Sequence, residues 1–408
     1  MQTTLDLTAM NAALKELYDG QVVENLVYAD NPFLAMVPKR TDFGGKYKPI
    51  PIQTGVTQGR SATFANAQGN QTAPLLQSFL LTRASDYSIA TIDNQTMLAS
   101  RTDKMAFLEG SKLVIDSAIR SLTNSLASAL FRSGTGSIGQ VGAMPGSGVI
   151  TLSNAADVVQ FENGMTLQAN ATDGGTPRAA LGYVIAVNRS AGQITVSATS
   201  ISGNAGDPSG WSPNDFLLVQ GDNNAKIKGL AAWIPFTAPS GADNFFGVNR
   251  TVDTTRLAGI RYDGSAQPIE EALIDSSSLL AREGGRPDVC VMNFATYSAL
   301  EKSLGAKVQY VDLKGPAEIA FRGILVHGAA SVIKVFPDRN CPALFGYLLQ
   351  MNTWALESLG DAPQILRYGD GLEMLRVYNA DAGEVRVGYY ANLRTNAPGW
   401  NAVVKFAA

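Results

Sequence analysis

The stretch from Gln53 to Thr82 is the feature that most limits how this chain can fold. Its only charged residue is Arg60, and glycine, glutamine, asparagine, alanine and threonine supply much of the remainder. Small and polar side chains of this kind do not form a hydrophobic core of their own. A loop of this length in a compact domain is unusual unless it is functional or disordered. The stretch therefore needs a surface outside itself on which to lie.

Two apolar runs flank this stretch and favour a functional arm over disorder. Residues 46–55 and residues 77–92 each predict a strand, so that the polar excursion joins a strand pair. The apolar positions of the second run are Leu76, Phe79, Leu81, Tyr87 and Ile89.

Residues 103–133 predict the longest helix of the chain, with Ser100 and Asp103 as a plausible capping arrangement. Its apolar positions recur at helical spacing and are Leu108, Ile115, Ile119, Leu122, Leu126 and Leu130. The other positions are mostly small, so the helix should pack on more than one neighbour and act as a spine.

The segment before the arm predicts a short amphipathic helix over residues 7–17, with Thr8 as its cap and Gly20 as its stop. Between Asn31 and Pro51, prolines at positions 32, 38, 49 and 51 argue against a continuous helix. We therefore predict an extended segment there that leads into the first strand and needs other surfaces to lie on.

After Gly134 the composition changes to glycine, serine, threonine and short apolar runs. These runs predict the strands of a small inserted β-barrel or sandwich, which ends near Trp233. The predicted strands are Met165–Ala169, Leu181–Val187, Gln193–Ser197 and Phe216–Gln220.

The C-terminal half alternates helices and strands. A second helix with Ile269 to Leu280 on its apolar face is ended by Gly284 and Gly285, and Asn293 predicts the cap of a third helix. Predicted strands are 289–292, 319–326, 331–336, 343–350, 353–358 and a pair around the turn at 381–383. The whole indicates an α+β fold with mostly antiparallel sheets.

Composition excludes several functional classes. The net charge of -3 and the absence of a basic run argue against a dedicated DNA-binding protein. Charged residues make up 16% of the chain, against roughly 25% in an average protein, so much of the surface is expected not to face water. No signal sequence or membrane span is evident, which predicts a cytoplasmic chain.

Metal and cofactor sites are not predicted. Two cysteines, Cys290 and Cys341, and a single histidine, His327, cannot form a disulfide framework or a metal site on soft ligands. Gly134, Gly136 and Gly139 have dinucleotide-fingerprint spacing, but they follow a helix and precede strands, which is the reverse of the required order. We interpret them as a flexible exit from the helix.

Other motifs give no support to a catalytic or nucleotide site. Gly45 and Lys46 are followed by Tyr47, which does not fit a P-loop. His327 lies in a predicted strand and is expected to serve packing or hydrogen bonding, although Ser331 and Asp338 are nearby in the chain.

The adjacent pair Glu270 and Glu271 cannot straddle one bond from a helix, because neighbouring helical residues point about 100° apart. A solvated helix N-terminus accounts for both carboxylates. We therefore predict no catalytic residues.

The order of these elements resembles the major capsid proteins of tailed phages over nearly the whole chain. The stretches that look like that family are Asn-Pro-Phe-Leu-Ala-Met-Val-Pro from Asn31, Pro-Asp-Val-Cys-Val-Met-Asn from Pro287 with Tyr297 and Leu300, and Val-Phe-Pro-Asp-Arg from Val335 with Trp354. None of the three is a catalytic signature.

The resemblance implies a tailed-phage major capsid fold whose E-loop lies over a neighbouring subunit, with an added β-rich insertion. The implied parts are an N-terminal arm (1–43), the E-loop hairpin (44–94), the P-domain spine helix (95–139), the inserted domain (140–235), a P-domain continuation (236–284), the A-domain at the hexamer and pentamer axes (285–370) and closing strands (371–408).

The implied function is that of a non-enzymatic shell protein of the virion, assembled in the host cytoplasm. Its implied partners are copies of itself in hexamers and pentamers, a portal, and separate scaffolding and decoration proteins. Packaged double-stranded DNA would be contacted weakly and non-specifically, and no membrane partner is expected.

Some members of the family are sealed by Lys–Asn isopeptide bonds near the E-loop tip. No lysine occurs between Lys48 and Lys104, so we expect a capsid without such crosslinks. The sequence also lacks a long helical N-terminal scaffold region, so any scaffolding protein is expected to be separate.

Two alternatives remain open at this point. One is an encapsulin-like nanocompartment shell, which has the same architecture but packages enzymes. The other is a β-rich hydrolase, which would need the clustered carboxylates or catalytic triad that the sequence does not reveal.

Overall fold

The computed structural model describes residues 31–94, 104–304, 310–314, 320–367 and 374–407. The helix predicted over residues 7–17 and the predicted caps Ser100 and Asp103 lie outside the described residues. Within the described ranges, none of the helices combines the length and apolar character needed to cross a membrane.

Six α-helices occur in the described ranges. They are α1 (Pro32–Met36), α2 (Phe64–Gly69), α3 (Lys104–Ala129), α4 (Leu230–Trp233), α5 (Ile269–Arg282) and α6 (Phe294–Leu304). The long helix α3 is the predicted spine, and its side chains at Ile115, Ile119, Leu122 and Leu126 are buried as expected.

Strands of the described residues outnumber the helices and confirm an α+β fold. In chain order they are β1 (Lys39–Arg40), β2 (Lys48–Gly55), β3 (Leu75–Leu81), β4 (Ala84–Asp93), β5 (Ser137–Ala143), β6 (Val149–Leu152), β7 (Thr166–Asn170), β8 (Gly182–Asn188), β9 (Gln193–Ser197), β10 (Phe216–Val219), β11 (Asn244–Phe245), β12 (Val248–Asn249), β13 (Ile260–Gly264), β14 (Val289–Met292), β15 (Tyr310–Lys314), β16 (Ala320–His327), β17 (Val332–Pro337), β18 (Phe345–Leu349), β19 (Trp354–Ser358), β20 (Gln364–Ile365), β21 (Met374–Arg376), β22 (Ala382–Thr395) and β23 (Ala402–Phe406).

A six-stranded sheet is organised around the long strand β22, which pairs antiparallel with β4, β19, β20 and β21. The strand β1 completes the sheet by pairing parallel with β19. One face of β4, including Ala90 and Ile92, joins the same core as the inner stripe of α3. The spine and this sheet therefore form one packed unit.

A seven-stranded sheet in the order β13-β23-β18-β14-β17-β16-β15 forms the second part of the body. Its central strand β14 is buried at every position. Cys290 and Met292 belong to the core with helices α5 and α6, whereas Val289 and Val291 belong to the core that includes the spine. This sheet is covered on both faces because alternate residues of a strand point to opposite sides.

The ends of helices α5 and α6 match the expected local signals. Gly284 has a φ of +87° just after α5, and the next amide, Gly285 N, donates to Leu280 O at 2.9 Å. At the start of α6, Asn293 Oδ1 accepts a hydrogen bond from Ala295 N at 3.1 Å.

The insertion is a closed six-stranded barrel in the order β10-β5-β6-β9-β8-β7. The four predicted strands lie at β7 to β10, while β5 and β6 were not predicted. Because β5 begins at Ser137, the barrel begins three residues before the expected boundary at 140. The barrel has its own core, formed by Val141, Ile150, Leu152, Val158, Phe161, Leu167, Ala169, Val184, Ile194, Val196, Trp211 and Leu217.

The single strand predicted over residues 77–92 is wrong. The chain forms β3 and β4 instead, and these strands belong to different sheets. Phe79 and Leu81 are buried in β3 but Ala90 and Ile92 are buried in β4, so the buried set changes from odd to even positions. A continuous strand cannot make this change, because its side chains alternate between two faces.

The extended segment predicted after Asn31 is also corrected, because Pro32–Met36 is a helix buried in the body. Proline suits the first helical position, where the missing N–H has no intrahelical role. Phe33 is fully buried and its ring lies 5.1 Å from that of Phe131 at the end of the spine. The surface on which this segment lies belongs to its own chain.

The two ends of the barrel insertion leave the body side by side. Leu230 N donates to Leu130 O at 2.7 Å and Gly229 N donates to Arg132 O at 3.0 Å. An insertion with adjacent ends and a private core has the features of an independently folding unit.

We predict that a fragment of residues 133–229 folds alone, because its core does not depend on the body. Chemical unfolding should be cooperative, and the amide NMR spectrum should be well dispersed. In the fragment, Phe161→Ala removes a fully buried ring and should cost about 3–5 kcal/mol of stability. A fragment without a cooperative transition would show that the barrel depends on the body.

Candidate assembly interface

The hairpin arm, defined as residues 48–81, extends from the body and is exposed over most of its length. Strands β2 and β3 form a separate two-stranded sheet, and helix α2 near the tip has no buried residue. The exposed fractions of Phe64 and Leu76 are 82% and 71%. Large apolar side chains this exposed mark a contact surface, as expected for a tip without its own core.

An ionic cluster holds the root of the hairpin arm. Lys48 Nζ, at the start of β2, lies 2.5 Å from Glu357 Oε2 on β19 and 2.8 Å from Asp42 Oδ1. The other carboxylate oxygen of Glu357 lies 2.7 Å from Arg394 Nε on β22. Glu357 is completely buried, so two cations converge on a carboxylate that solvent does not reach.

The pKa shifts in this cluster reflect burial and ion pairing together. Burial acts to lower the pKa of Lys48, but its hydrogen bonds with Asp42 and Glu357 outweigh burial and raise it. Burial lowers the pKa of Arg394, and the charge of Glu357 opposes that shift. Lys48 is therefore held in its charged form at the arm root.

An aromatic cluster packs the other side of the root. The ring of Phe79 on β3 lies edge-on to Trp233 at 5.0 Å and to Phe245 at 6.2 Å. Leu80 N donates to Phe246 O at 2.8 Å, which ties β3 to the β11–β12 hairpin. The root of the arm is thus fixed to the body, although its tip is not.

The body also has exposed apolar side chains on the sheet and the spine. Tyr87 and Ile89 on β4 are 54% and 57% exposed, and Leu113 on α3 is 72% exposed. The Tyr87 ring lies edge-on to that of Tyr390 at 6.0 Å. These residues give the body apolar surface comparable with that of the tip.

A cavity of about 750 Å³ lies between α3, β4 and the barrel, and we call it the spine cleft. The inserted barrel and its connections contribute part of the lining, namely Gly136, Ser137, Ile138, Val159, Gln160, Glu162, Asn163, Gly164, Met165, Val219, Gln220 and Asp222. At its base, Lys226 Nζ bonds Asp86 Oδ2 and lies 3.0 Å from Asp222 Oδ2. Ser125 Oγ also donates to Asp86 at 2.7 Å. Two carboxylates therefore share a single ammonium group.

Burial raises the pKa of Asp222, with the nearby charge of Asp86 adding to the rise and Lys226 opposing it. Burial also raises the pKa of Tyr389, whose hydroxyl lies 3.4 Å from Asp86 Oδ2. Tyr389 is therefore neutral and contributes no charge. Arg120 on the spine also lines the cleft and adds a further cation to its lining.

The structure does not assemble the catalytic candidates into a site. His327 is exposed at the end of β16 and so is not used for packing. Ser331 Oγ donates to Pro287 O at 2.5 Å. The buried Asp338 carboxylate accepts from Phe33 N and Asn340 N at 3.2 and 2.9 Å. Ser331 and Asp338 are thus engaged with backbone groups and hold neighbouring segments in place.

The carboxylate and glycine motifs also have structural positions. Glu270 and Glu271 lie in the first turn of α5, as predicted. Only Glu271 is exposed to solvent, whereas Glu270 is half-buried and its Oε2 has no hydrogen-bond partner among the described residues. Gly134 and Gly136 follow the spine with positive φ, and a Cβ on Gly136 would lie 2.4 Å from Asp222 O. The expected flexible exit is corrected to a tight backbone crossing at which only glycine fits. Gly45 has a φ of +76° beside the exposed Lys46.

Both cysteines are free and buried, and burial raises the pKa of each thiol. Among the described residues, no group of three or more histidine, cysteine, aspartate or glutamate side chains is arranged to hold a metal ion.

Sequence reasoning missed the charged residues that organise this region. Glu357 has a recognisable signal, because it is a carboxylate inside the strand predicted over residues 353–358, where an uncompensated charge would be costly. Lys226 has no comparable signal, since its partner Asp86 is 140 residues away in the chain.

Comparison with known proteins gives a result only at the level of structure. No protein-family model matches the sequence, and no curated protein matches it. The structure is similar to the capsid asymmetric unit of cyanophage A-1(L), with 12% sequence identity, 92% of each chain covered and a TM-score of 0.51.

Two further structures align over most of the chain. The capsid of an empty GTA particle is 11% identical, with 99% of this chain and 100% of the other covered and a TM-score of 0.46. The holo-SrpI encapsulin complex from Synechococcus elongatus PCC 7942 is 9% identical, with 97% and 94% covered and a TM-score of 0.43.

We predict that Glu357→Gln destabilises the chain by about 3–5 kcal/mol, because it leaves Lys48 and Arg394 facing each other without a buried counter-charge. Urea unfolding of the unassembled chain at neutral pH measures the change. Asp42→Asn is the matched control, because Asp42 bonds the same lysine but its side chain is 75% exposed.

The control should cost less than about 1 kcal/mol. Equal losses for the two variants would contradict the assignment of Glu357 as the residue that fixes the arm root.

Proposed function

We propose, on the premise that this chain has the fold of phage major capsid proteins, that it is a shell subunit which assembles with copies of itself. The fold is the one it shares with the cyanophage A-1(L) capsid subunit. The observation that carries the proposal is the hairpin arm, whose root is fixed by Glu357 and Phe79 while its tip exposes large apolar side chains.

The tip gains its missing packing from a neighbouring copy. Strand β2 has eight residues, which at about 3.3 Å per residue span roughly 26 Å. That length is sufficient to reach an adjacent subunit in a shell. The arm then corresponds to the E-loop of the capsid fold, and the exposed apolar residues of β4 and the spine are candidate contact surfaces.

Assembly is the mechanism of this function. The arm of one copy and the surface that receives it on another are different, so the contact is heterologous and generates closed rings when the rotation closes. Hexamers and pentamers formed in this way make a shell from individually modest contacts, because each subunit is held by several neighbours at once.

The finer proposal is that the shell is the icosahedral head of a tailed phage and encloses its double-stranded DNA. The net charge of -3 supports weak and non-specific contact with the genome, since a strongly basic wall would hold DNA tightly. The partners we propose are a portal, a separate scaffolding protein and a decoration protein on the inserted barrel. Assembly takes place in the host cytoplasm.

The second candidate is an encapsulin-like nanocompartment. An encapsulin is among the similar structures, which motivates this candidate. The two candidates differ in their cargo, because an encapsulin-like shell packages enzymes whereas a phage head encloses nucleic acid. Purified particles separate the two candidates through their ultraviolet absorbance ratio and their sensitivity to nuclease. The role is non-enzymatic in either case, and no substitution at His327 or Glu270 is expected to abolish a catalytic activity.

We predict that the purified chain, with its scaffolding protein if one is needed, forms closed particles visible by negative-stain electron microscopy. Replacing residues 56–74 with a short Gly-Ser turn should abolish closed particles, because it removes the tip and leaves the arm root intact. Circular dichroism should be retained in the variant. Closed particles of normal size without the tip would contradict the proposal.

We also predict that assembled particles dissociate into single chains on a denaturing gel. The tip contains no lysine, since none occurs between Lys48 and Lys104, and therefore cannot form a Lys–Asn isopeptide bond there. A ladder of covalent oligomers from untreated particles would contradict this prediction.

A further inference from the structure

Strand β4 forms an open edge of the six-stranded sheet. Among the described strands it pairs only with β22, and its ten residues stay in register with β22 without a bulge. Its sequence, Ala-Ser-Asp-Tyr-Ser-Ile-Ala-Thr-Ile-Asp, contains neither proline nor lysine. Natural edge strands use proline, lysine, a bulge or a very short length to prevent pairing with another chain. Strand β4 has none of these protections.

The odd-numbered residues of β4 direct their backbone groups to this open edge. Asn94 N donates to Asp381 O at 3.0 Å, so the hydrogen-bonded pairs with β22 fall at even positions, because such pairs alternate in an antiparallel ladder. Arg386, which lies opposite Ile89, fits this pattern, since its carbonyl accepts from Leu366 N at 2.8 Å on the other side of β22. The residues that face the open edge are Ser85, Tyr87, Ile89, Thr91 and Asp93.

Most of these edge groups are available to another strand. Tyr87 N donates to Asp86 Oδ1 at 3.1 Å. Apart from this bond, the part of the chain that the structure describes supplies no hydrogen-bond partner to the outward N–H and C=O groups. A row of unpaired backbone groups is a template for strand addition, and the main-chain hydrogen bonds give such a contact its affinity.

The side chains beside the edge favour an apolar partner. Tyr87 and Ile89 lie on the outer face of the sheet and each is more than half exposed, whereas Ala90 and Ile92 face the core that contains the spine. An added strand would place its own side chains next to Tyr87 and Ile89. The edge therefore fits a strand with aromatic or β-branched residues at alternate positions.

The hairpin arm does not provide this strand. Pro49 is paired with Leu80, whose N–H points away from β2 and donates to Phe246 O at 2.8 Å. This pair is therefore not hydrogen-bonded, and the backbone of Pro49 and of Pro51 faces the outer edge of β2 without an N–H to offer. The outer edge of β3 is already engaged by Phe246 near the root.

The other open edges of the described sheets are short. Strands β13 and β15, at the two ends of the seven-stranded sheet, have five residues each. The inserted barrel is closed and therefore offers no edge. Within the described part of the chain, a second β4 strand is the partner that matches the whole length of the edge.

Two β4 strands are complementary when they pair antiparallel about a two-fold axis at Ile89. Tyr87 of one copy then lies opposite Thr91 of the other, and Ile89 lies opposite its own equivalent. Cross-strand pairs of aromatic and β-branched side chains contribute about 0.2–1 kcal/mol each. The alternation that makes one edge apolar thus also makes it a suitable partner for itself.

The charges of β4 fit the same register. Its two carboxylates are Asp86 and Asp93. Asp86 lies opposite Ile92 of the second copy, and Asp93 lies opposite Ser85, whose hydroxyl can donate a hydrogen bond to it. Neither carboxylate faces another, an arrangement that would destabilise the pair.

We propose that β4 of one subunit pairs antiparallel with β4 of a second copy across a two-fold axis at Ile89, which joins two six-stranded sheets into one. This inference rests on the proposed shell function and names a second type of contact. The arm makes a heterologous contact that closes rings, whereas the β4 pair is isologous and links one ring to another.

Disulfide formation in assembled particles tests the pair. The two Ile89 Cα atoms would lie about 5.5 Å apart in this hydrogen-bonded pair, which a disulfide can span. Ile89→Cys particles, after mild oxidation, should therefore give covalent dimers on a non-reducing denaturing gel. The native thiols Cys290 and Cys341 are buried and give little background.

Asp93→Cys is the matched control on the same strand. Two Asp93 residues would lie roughly 26 Å apart along the pair, so this variant should stay monomeric on the gel. Adding Ser85→Cys to Asp93→Cys should restore dimers without a ladder of higher oligomers, because a two-fold pair involves only two chains.

Particles of normal size in which Ile89→Cys forms no more dimer than Asp93→Cys would overturn the inference and leave the shell function standing. A ladder of higher oligomers from the Ser85→Cys and Asp93→Cys double variant would also overturn it, because that result requires a heterologous contact. Failure of the unsubstituted chain to form any particle would overturn both the inference and the proposed function.

The backbone contribution is tested separately with Thr91→Pro. The Thr91 N–H faces the open edge and makes no bond to β22, so proline removes only the bond to the second copy. The critical concentration for assembly should rise at least about tenfold, which corresponds to about 1.4 kcal/mol per contact. Thr91→Ala keeps the N–H and should have a smaller effect. Equal effects of the two variants, with circular dichroism retained in both, would contradict pairing at this edge.

Discussion

The hairpin arm is fixed to the body at its root, whereas its tip receives no packing from its own chain. The interpretation of the molecule as a subunit depends on this difference between root and tip. At the root, the buried carboxylate of Glu357 lies between Lys48 and Arg394, and Phe79 packs among aromatic rings. A buried carboxylate with two cationic partners gives a defined geometry, because losing either partner would leave an unpaired charge in the interior. The direction of the arm is therefore set before any neighbour binds.

The body is arranged so that its own requirements for burial are already met. The seven-stranded sheet is covered on both faces, and the barrel has a separate core. What remains exposed is apolar surface on the arm tip, on β4 and on the spine. Surfaces of this kind, on a body that is otherwise complete, are what a subunit of a larger assembly needs, because they contribute packing energy only when copies meet.

Much of the architecture could be predicted from local pattern. The spine stripe, the barrel strands β7 to β10 and the cap at Asn293 were each found because periodicity or capping chemistry is visible in a short window. The errors came where two local signals were merged or misinterpreted. The change from odd to even buried positions between Leu81 and Ala90 marks the break between β3 and β4. Pro32 was interpreted only as a residue that prevents a helix, but proline is also favourable at the first position of a helix, which is where it lies.

The sequence by itself determined that residues 53 to 82 could not form a core, because that property depends only on which side chains are present. It also determined the three longest described helices, α3, α5 and α6, and many of the strands, whose spacing repeats within a few residues. Only the tertiary structure decided that Lys48 would meet Glu357, 309 residues away, and that Lys226 would be shared by Asp86 and Asp222. Contacts between residues so distant in the chain depend on how whole sheets and helices pack, and no local periodicity records which charges that packing brings together.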